Sequence, residues 1–302
     1  MNAGTRTTAS RIVVRTSMAR GEGAAPRPAA RLSGLVALLP FAFALTPMPG
    51  CESGTGGRAV HLRLAVASAP AAGEPLGVFS TETGWRVTLS EAYVSLGPIY
   101  VYADPGVTAA RVLGGSFGLP VARAHAGHDH LGGRAVRAEF LGQVVFDALS
   151  PAGLDLGEVE GTAGHAAELT VDLRPPRGAD AAAEAPLRGR QAWVEGVAER
   201  DGARVWFRGG LDIPDEALAR RVSGIPVDAD IDDGGTLILE VHLRAWFAAA
   251  HFDRLTAQDP DGAFVITSAS QPRTAWYLGV RSAAAYSTRW NPAPVAGGAE
   301  GP

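Results

Sequence analysis

Gln191-Ala192-Trp193-Val194-Glu195-Gly196-Val197-Ala198-Glu199, then Asp201-Gly202, then Arg204-Val205-Trp206-Phe207-Arg208 is the stretch that decides the fold class. Two β-prone runs flank an Asp-Gly pair, the dipeptide that accepts the positive φ angles of a two-residue hairpin turn. Side chains alternate faces along a strand. Val194 and Ala198 therefore oppose Trp193, and Val205 and Phe207 oppose Trp206, which leaves a tryptophan-bearing face toward solvent.

Working outward, the same pattern recurs. Val60–Val66 alternates apolar with polar in its first half, and Trp85, Val87 and Leu89 share one face of the next run. Tyr93–Tyr102 is rich in β-formers, with a Gly97-Pro98 interruption suited to a bulge or an edge strand. Val136–Phe146 reads as one strand, Leu154–Val159 as a short segment, and Ala166–Leu173 as a strand with Leu169, Val171 and Leu173 on one face. A second strand pair is expected from Ile225-Pro226-Val227 through Asp232-Asp233-Gly234-Gly235 to Thr236–Leu243. Helical spacing shows only in Ala245–Leu255 and Thr274–Tyr286. Many short strands without alternating helices predict an all-β chain: an antiparallel β-sandwich or barrel-like fold with one or two short helices near the C-terminus. The domain is expected over residues 58–290, with a Pro/Ala-rich loop near 174–187 as a place where two halves would divide and a compositionally disordered tail over 291–302.

The first 50 residues read differently. Arg27 and Arg31 precede the apolar run Leu32–Leu45, too short to cross a bilayer comfortably at about 20 residues but of signal-peptide length. Met18 offers an alternative start that would shorten the polar n-region. Cys51, the only cysteine, follows Gly50 directly after the apolar region, and hydropathy then collapses over 51–57 into what reads as a flexible tether. This arrangement resembles the lipobox of bacterial lipoproteins, in which the cysteine thiol carries a lipid and becomes the first mature residue. Met48 and Pro49 stand where that family has Leu and a small residue. The resemblance implies lipidation at Cys51 and a place in the cell envelope, anchored to a membrane. Glu52 behind the cysteine leans the expectation toward the outer membrane. The remainder, with Gly84–Leu89, Leu96–Tyr100 and the histidine-rich stretch that follows, is similar to secreted bacterial lipoproteins of no defined activity and implies no catalytic residues.

All 27 basic residues are Arg, which removes Schiff-base and P-loop lysine chemistry. A net charge of −4 with interspersed signs is not the basic stripe of a nucleic-acid binder. A single cysteine excludes an internal disulfide and a thiolate pair.

Ala124-His125-Ala126-Gly127-His128-Asp129-His130 gathers three of the seven histidines within six residues. Neutral imidazoles bind borderline metals, and a loop bent at Gly127 lets His125, His128 and His130 converge on one zinc or copper ion, with Glu139 or His165 as candidates to complete the shell. Asp228, Asp230 and Asp232 alternate as at the start of a calcium loop. However, Gly comes one place late and Leu239 holds the twelfth position, so a turn is the more economical reading. Trp193 and Trp206 are candidates for stacking on sugar, against cross-strand packing as the commoner use. No Gly-x-Ser-x-Gly elbow or zinc-protease helix occurs, and no catalytic residue is assigned. The leading expectation is an exported metal-binding β-sandwich. Its rivals are a metal-free adhesion or scaffold sandwich that binds glycan or an envelope protein, and a secreted hydrolase.

Overall fold

A computed structural model describes residues 57–103, 135–176 and 184–294. The described strands form two sheets around one apolar core. In chain order they are β1 (Ala59–Ser68), β2 (Val78–Ser80), β3 (Arg86–Leu96), β4 (Ile99–Ala103), β5 (Val136–Phe140), β6 (Val144–Asp147) and β7 (Leu154–Thr162). Then come β8 (Gly164–Asp172), β9 (Ala192–Arg200), β10 (Ala203–Leu211), β11 (Arg221–Ile231), β12 (Thr236–Val241), β13 (Phe264–Val265) and β14 (Tyr286–Asn291). Three short α-helices, α1 (Ala217–Arg220), α2 (Leu243–Trp246) and α3 (Gln271–Val280), lie in the C-terminal third.

The Asp201-Gly202 hairpin forms, pairing β9 with β10 from Ala203↔Arg200 to Leu211↔Ala192. Both turn residues have positive φ, 51° and 81°, the handedness that matches the twist of the flanking strands. Val194, Ala198, Val205 and Phe207 are buried, as alternation requires. In β1, likewise, Val60, Leu62, Leu64 and Val66 are buried while His61 and Arg63 are exposed.

The six-stranded sheet runs β13-β10-β9-β3-β2 with β6 on the far part of β3, and the eight-stranded sheet runs β11-β8-β4-β5-β7-β1-β12-β14. Two pairings are parallel, β1 with β12 and β10 with β13, and the rest are antiparallel. The Thr288 hydroxyl donates to the Pro226 carbonyl at 2.9 Å, so the two outer strands of the larger sheet meet and it curls nearly closed. Strands from before and after residues 174–187 share both sheets, through β3 with β9 and β8 with β11.

Four sequence expectations are corrected. β11 and β12 form but do not pair with each other. β12 lies between β1 and β14 because the C-terminal Tyr286–Asn291 takes its open edge, a partner some fifty residues downstream that turn chemistry does not reveal. Val136–Phe146 is two strands in different sheets, broken at Leu141-Gly142-Gln143. Ala245–Leu255 is not one helix: α2 ends at Trp246 and only a 3₁₀ turn at Phe252–Arg254 follows, because Trp246, Phe247, Ala250 and Phe252 are all drawn into the core. Similarly, α3 spans Gln271–Val280 and the chain is already strand by Tyr286.

The Gly97-Pro98 interruption is neither bulge nor edge. It is the corner at which the chain passes from the six-stranded sheet (β3) into the interior of the eight-stranded one (β4), across a cis peptide. Gly97 has φ 117°, and a Cβ there would lie 2.3 Å from the Gly142 carbonyl oxygen, because the β5-to-β6 crossing passes directly against it. The Gln143 side-chain amide locks the two crossings together. It donates to Ser95 Oγ at 2.7 Å and to the Arg174 and Pro175 carbonyls at 2.9 and 2.7 Å. Asp172 clasps the corner from the other side: its carbonyl accepts from Gly97 N–H at 2.9 Å and its N–H donates to the Pro98 carbonyl at 3.0 Å.

The Asp172 side chain is fully buried, and three guanidinium groups meet it. Arg174 bonds Oδ2 at 2.8 Å, Arg221 bonds Oδ1 at 3.0 Å, and Arg220 Nε stands 3.5 Å from Oδ2. A buried carboxylate is tolerable only when paired in this way.

Two stability predictions follow. Gly97→Ala meets both a left-handed backbone and a backbone clash, whereas Gly202→Ala has φ 81° but open space around it. Urea melts should show Gly202→Ala losing about 1 kcal/mol and Gly97→Ala losing well more than that. Asp172→Asn, which leaves three guanidinium groups around a neutral amide, should lose about 3 kcal/mol. Equal melts for Asp172→Asn and wild type would remove the buried ion cluster from the account.

Candidate functional site

The residues with chemical potential collect at the two ends of β1. At its N-terminal end, Gly234 N–H donates to the His61 carbonyl at 2.7 Å, and Ala163 N–H donates to the Arg58 carbonyl at 2.8 Å. The β11–β12 turn, the β7–β8 turn and the start of the described chain therefore lie together. The segment 104–134 departs from and returns to this same end. Ala103 is the strand partner of Ala166 on β8, and its N–H donates to the Ala135 carbonyl at 2.9 Å.

His125, His128 and His130 lie outside the described residues, as does Cys51. His165, one residue before Ala166, stands exposed on β8 opposite Asp230, with Nδ1 3.4 Å from Asp230 Oδ1 and Nε2 4.0 Å from Asp228 Oδ1. His61 Nδ1 is 3.4 Å from Glu158 Oε1. Glu139 is not beside His165; it faces a shallow hollow shared with Arg137 and Glu160. Among the described residues no three His, Cys, Asp or Glu side chains converge closely enough to hold a metal ion.

Asp228, Asp230 and Asp232 do not gather around a common point. Asp228 and Asp230 face His165. Asp232 pairs with Arg58 and accepts from Asp233 N–H at 2.8 Å, and those two contacts hold its carboxyl below the usual carboxylate range. Asp233 accepts from His61 N–H at 2.8 Å. The carboxylates of the turn fasten it to β1.

On the outer face of the six-stranded sheet, Trp193 is covered. The Arg188 guanidinium sits 3.8 Å from its ring centroid, and its Nε1–H donates to Glu91 at 2.9 Å. Its strand neighbours are Tyr93 and Gly210, so it packs across strands. Trp206 remains 38% exposed and is the one of the pair with an open face.

The C-terminal end of β1 is different in kind. Ala69 N–H donates to the Val241 carbonyl at 2.9 Å, and past that point the chain, α2 and α3 line an open pocket of about 600 Å³. Its walls are mostly alanine, with Leu278, Glu82, Arg244 and His242. Below it the aromatic core is dense: Phe247 stacks on Trp276 at 5.6 Å, and Phe207 meets Phe252 at 4.6 Å.

No family model matches the sequence, and no curated protein matches it. One solved structure is similar: MbnP from Methylosinus trichosporium, 12% identical over 73% of this chain and 87% of that chain, with a TM-score of 0.39. A likeness at that level carries no argument about function.

Sequence reasoning passed over His242, which lies alone among apolar neighbours in a strand-to-helix connection. Its partners come from β14, 45 residues away, so no local spacing could signal them. The same strand starts at Tyr286, fully buried, whose hydroxyl donates to the Val280 carbonyl at 2.9 Å and so fastens β14 to the end of α3. Burial pushes that hydroxyl far above its ordinary value. The folded chain therefore keeps the proton while the unfolded chain ionises at about pH 10, and stability falls as pH rises beyond that, by at most about 1.4 kcal/mol per pH unit from this group. Urea melts between pH 9 and 11 should show a shallower alkaline loss in Tyr286→Phe than in wild type; identical slopes would contradict this assignment.

Proposed function

We propose that this chain is an exported envelope β-sandwich, lipid-anchored at Cys51, that binds zinc or copper through His125, His128 and His130. The observation that carries the reading is the root of the histidine-bearing segment: Ala103 and Ala135 sit at the end of the sheet where His165, Asp228, Asp230 and His61 already stand. Imidazole donors with carboxylates behind them are the ligand chemistry of borderline metals, since a carboxylate fixes the ring and raises its basicity. The described chain starts at Gly57, six residues after Cys51, a span of at most about 20 Å. A lipid on Cys51 would hold this end of the sheet toward the membrane surface.

Two measurements test it. Residues 52–302, purified without metal, should take up about one zinc or copper ion per chain by calorimetry, and the variant with His125, His128 and His130 all changed to Ala should take up none. Unchanged stoichiometry in that variant would overturn the assignment. In a bacterial host, the full chain should fractionate with membranes and Cys51→Ala should not.

The rival reading, a metal-free scaffold that meets glycan or protein through an aromatic face, rests on Trp206 alone, because Arg188 occupies the face of Trp193. A secreted hydrolase draws no support from Ser287. The carboxylate of Glu240 holds that hydroxyl directly, where a nucleophile's partner histidine would need it.

A further inference from the structure

His242 is held on one side and open on the other. Its Nε2 lies 2.8 Å from Ser287 Oγ, and Ser287 Oγ lies 3.1 Å from Glu240 Oε2. Glu240 Oε1 accepts from Arg289 Nε at 2.9 Å, so each of its oxygens serves as an acceptor. Ser287 has one hydroxyl proton, and Glu240 takes it. The serine oxygen therefore accepts from His242, which must carry its proton on Nε2. In the neutral imidazole this leaves Nδ1 as the acceptor, with no partner among the described residues, on a residue that lines the 600 Å³ pocket.

The pocket's other walls are mainly methyl groups and short backbone, with Pro70, Leu278 and Ser282 among them. Ala245, Ala248, Ala275 and Ala284 face it, and Gly279 packs so tightly on α2 that an added Cβ would lie 2.4 Å from the Ala245 carbonyl oxygen. Charge is confined to Glu82 and Arg244. A concave, mostly apolar cavity of this size with a few placed polar groups is the usual construction of a small-molecule site.

We propose that this pocket binds a small ring compound carrying one hydrogen-bond donor, a phenol or a related hydroxylated ring, with the hydroxyl donating to His242 Nδ1. The alanine walls admit the ring, and the Ser287–Glu240–Arg289 chain sets the acceptor in advance. Arg289 and Glu240 are thus positioning residues, acting through Ser287 on the tautomer. The site lies at the far end of β1, ten residues and about 33 Å from the start of that strand. It goes beyond the metal reading and does not depend on it.

The test uses 2-naphthol and its methyl ether, 2-methoxynaphthalene, titrated into the domain with all its histidines intact. The two differ in the donor and little in apolar bulk. 2-Naphthol should bind about tenfold more tightly or better, and should shift the ¹⁵N resonance of His242 Nδ1 in the wild-type protein, where folding is not in question. His242→Phe should abolish the preference while the ring compounds still bind, and Ser287→Ala should reduce it. Ala248→Phe, which fills the pocket, should weaken both compounds. Equal affinity for the two, no saturable binding of either, an unmoved Nδ1 resonance, or a preference that survives in His242→Phe would each overturn the proposal.

Discussion

The burial of Asp172 constrains the rest of the architecture. Its carboxylate is inaccessible to water and so must be met by cations, and Arg174, Arg220 and Arg221 come from just past the end of β8, from α1 and from the start of β11. Its backbone at the same time brackets Gly97 and Pro98, where the chain leaves one sheet for the other. One residue thus ties the edge of the eight-stranded sheet to the corner that joins both sheets. A buried charge that loses its partners is costly, so the corner, α1 and β11 are coupled. The second crossing, at Gly142, fits only because Gly97 carries no side chain where the Gly142 carbonyl passes it.

Away from that corner, β1 is an interior strand between β7 and β12, with distinct environments at its ends. The N-terminal end is acidic, exposed and rich in imidazole. The C-terminal end is mostly apolar and flanked by α2 and α3. The proposed metal site and the proposed small-molecule pocket therefore draw on different physics, exposed ligand groups in one case and a mostly apolar concavity around an oriented imidazole in the other. Neither needs the other to form.

How much was legible in the sequence depended on the range of the interaction. The β9–β10 hairpin was fully legible, since Asp201 and Gly202 supply the turn and alternation sorts Val194 and Phe207 from Trp193 and Trp206. The alternating faces of β1 and of Trp85–Leu89 were read correctly for the same reason. Partner strands were not legible. Asp232–Gly235 looked like a hairpin turn because its composition is that of one, yet β12 pairs with β1 and β14. Val136–Phe146 looked like a single strand because apolar content is continuous through the crossing at Gly142. Of the candidate sites, His165 could be named as an accessory residue but not joined to Asp230, which lies across a strand pair. His242 gave no signal at all.

What the sequence determined by itself was local: period-two burial, turn positions marked by Asp-Gly and Gly-Pro, the absence of lysine and of a second cysteine, and the clustering of three histidines. These follow from backbone sterics and side-chain chemistry within a few residues. The tertiary structure alone decided which strands share a sheet, that the Gly97-Pro98 break is a corner between sheets, that Asp172 is buried among arginines, and that Ser287 and Glu240 orient His242. Each of those depends on groups far apart in the chain, brought together by burying one apolar core, and no spacing along the sequence encodes that meeting.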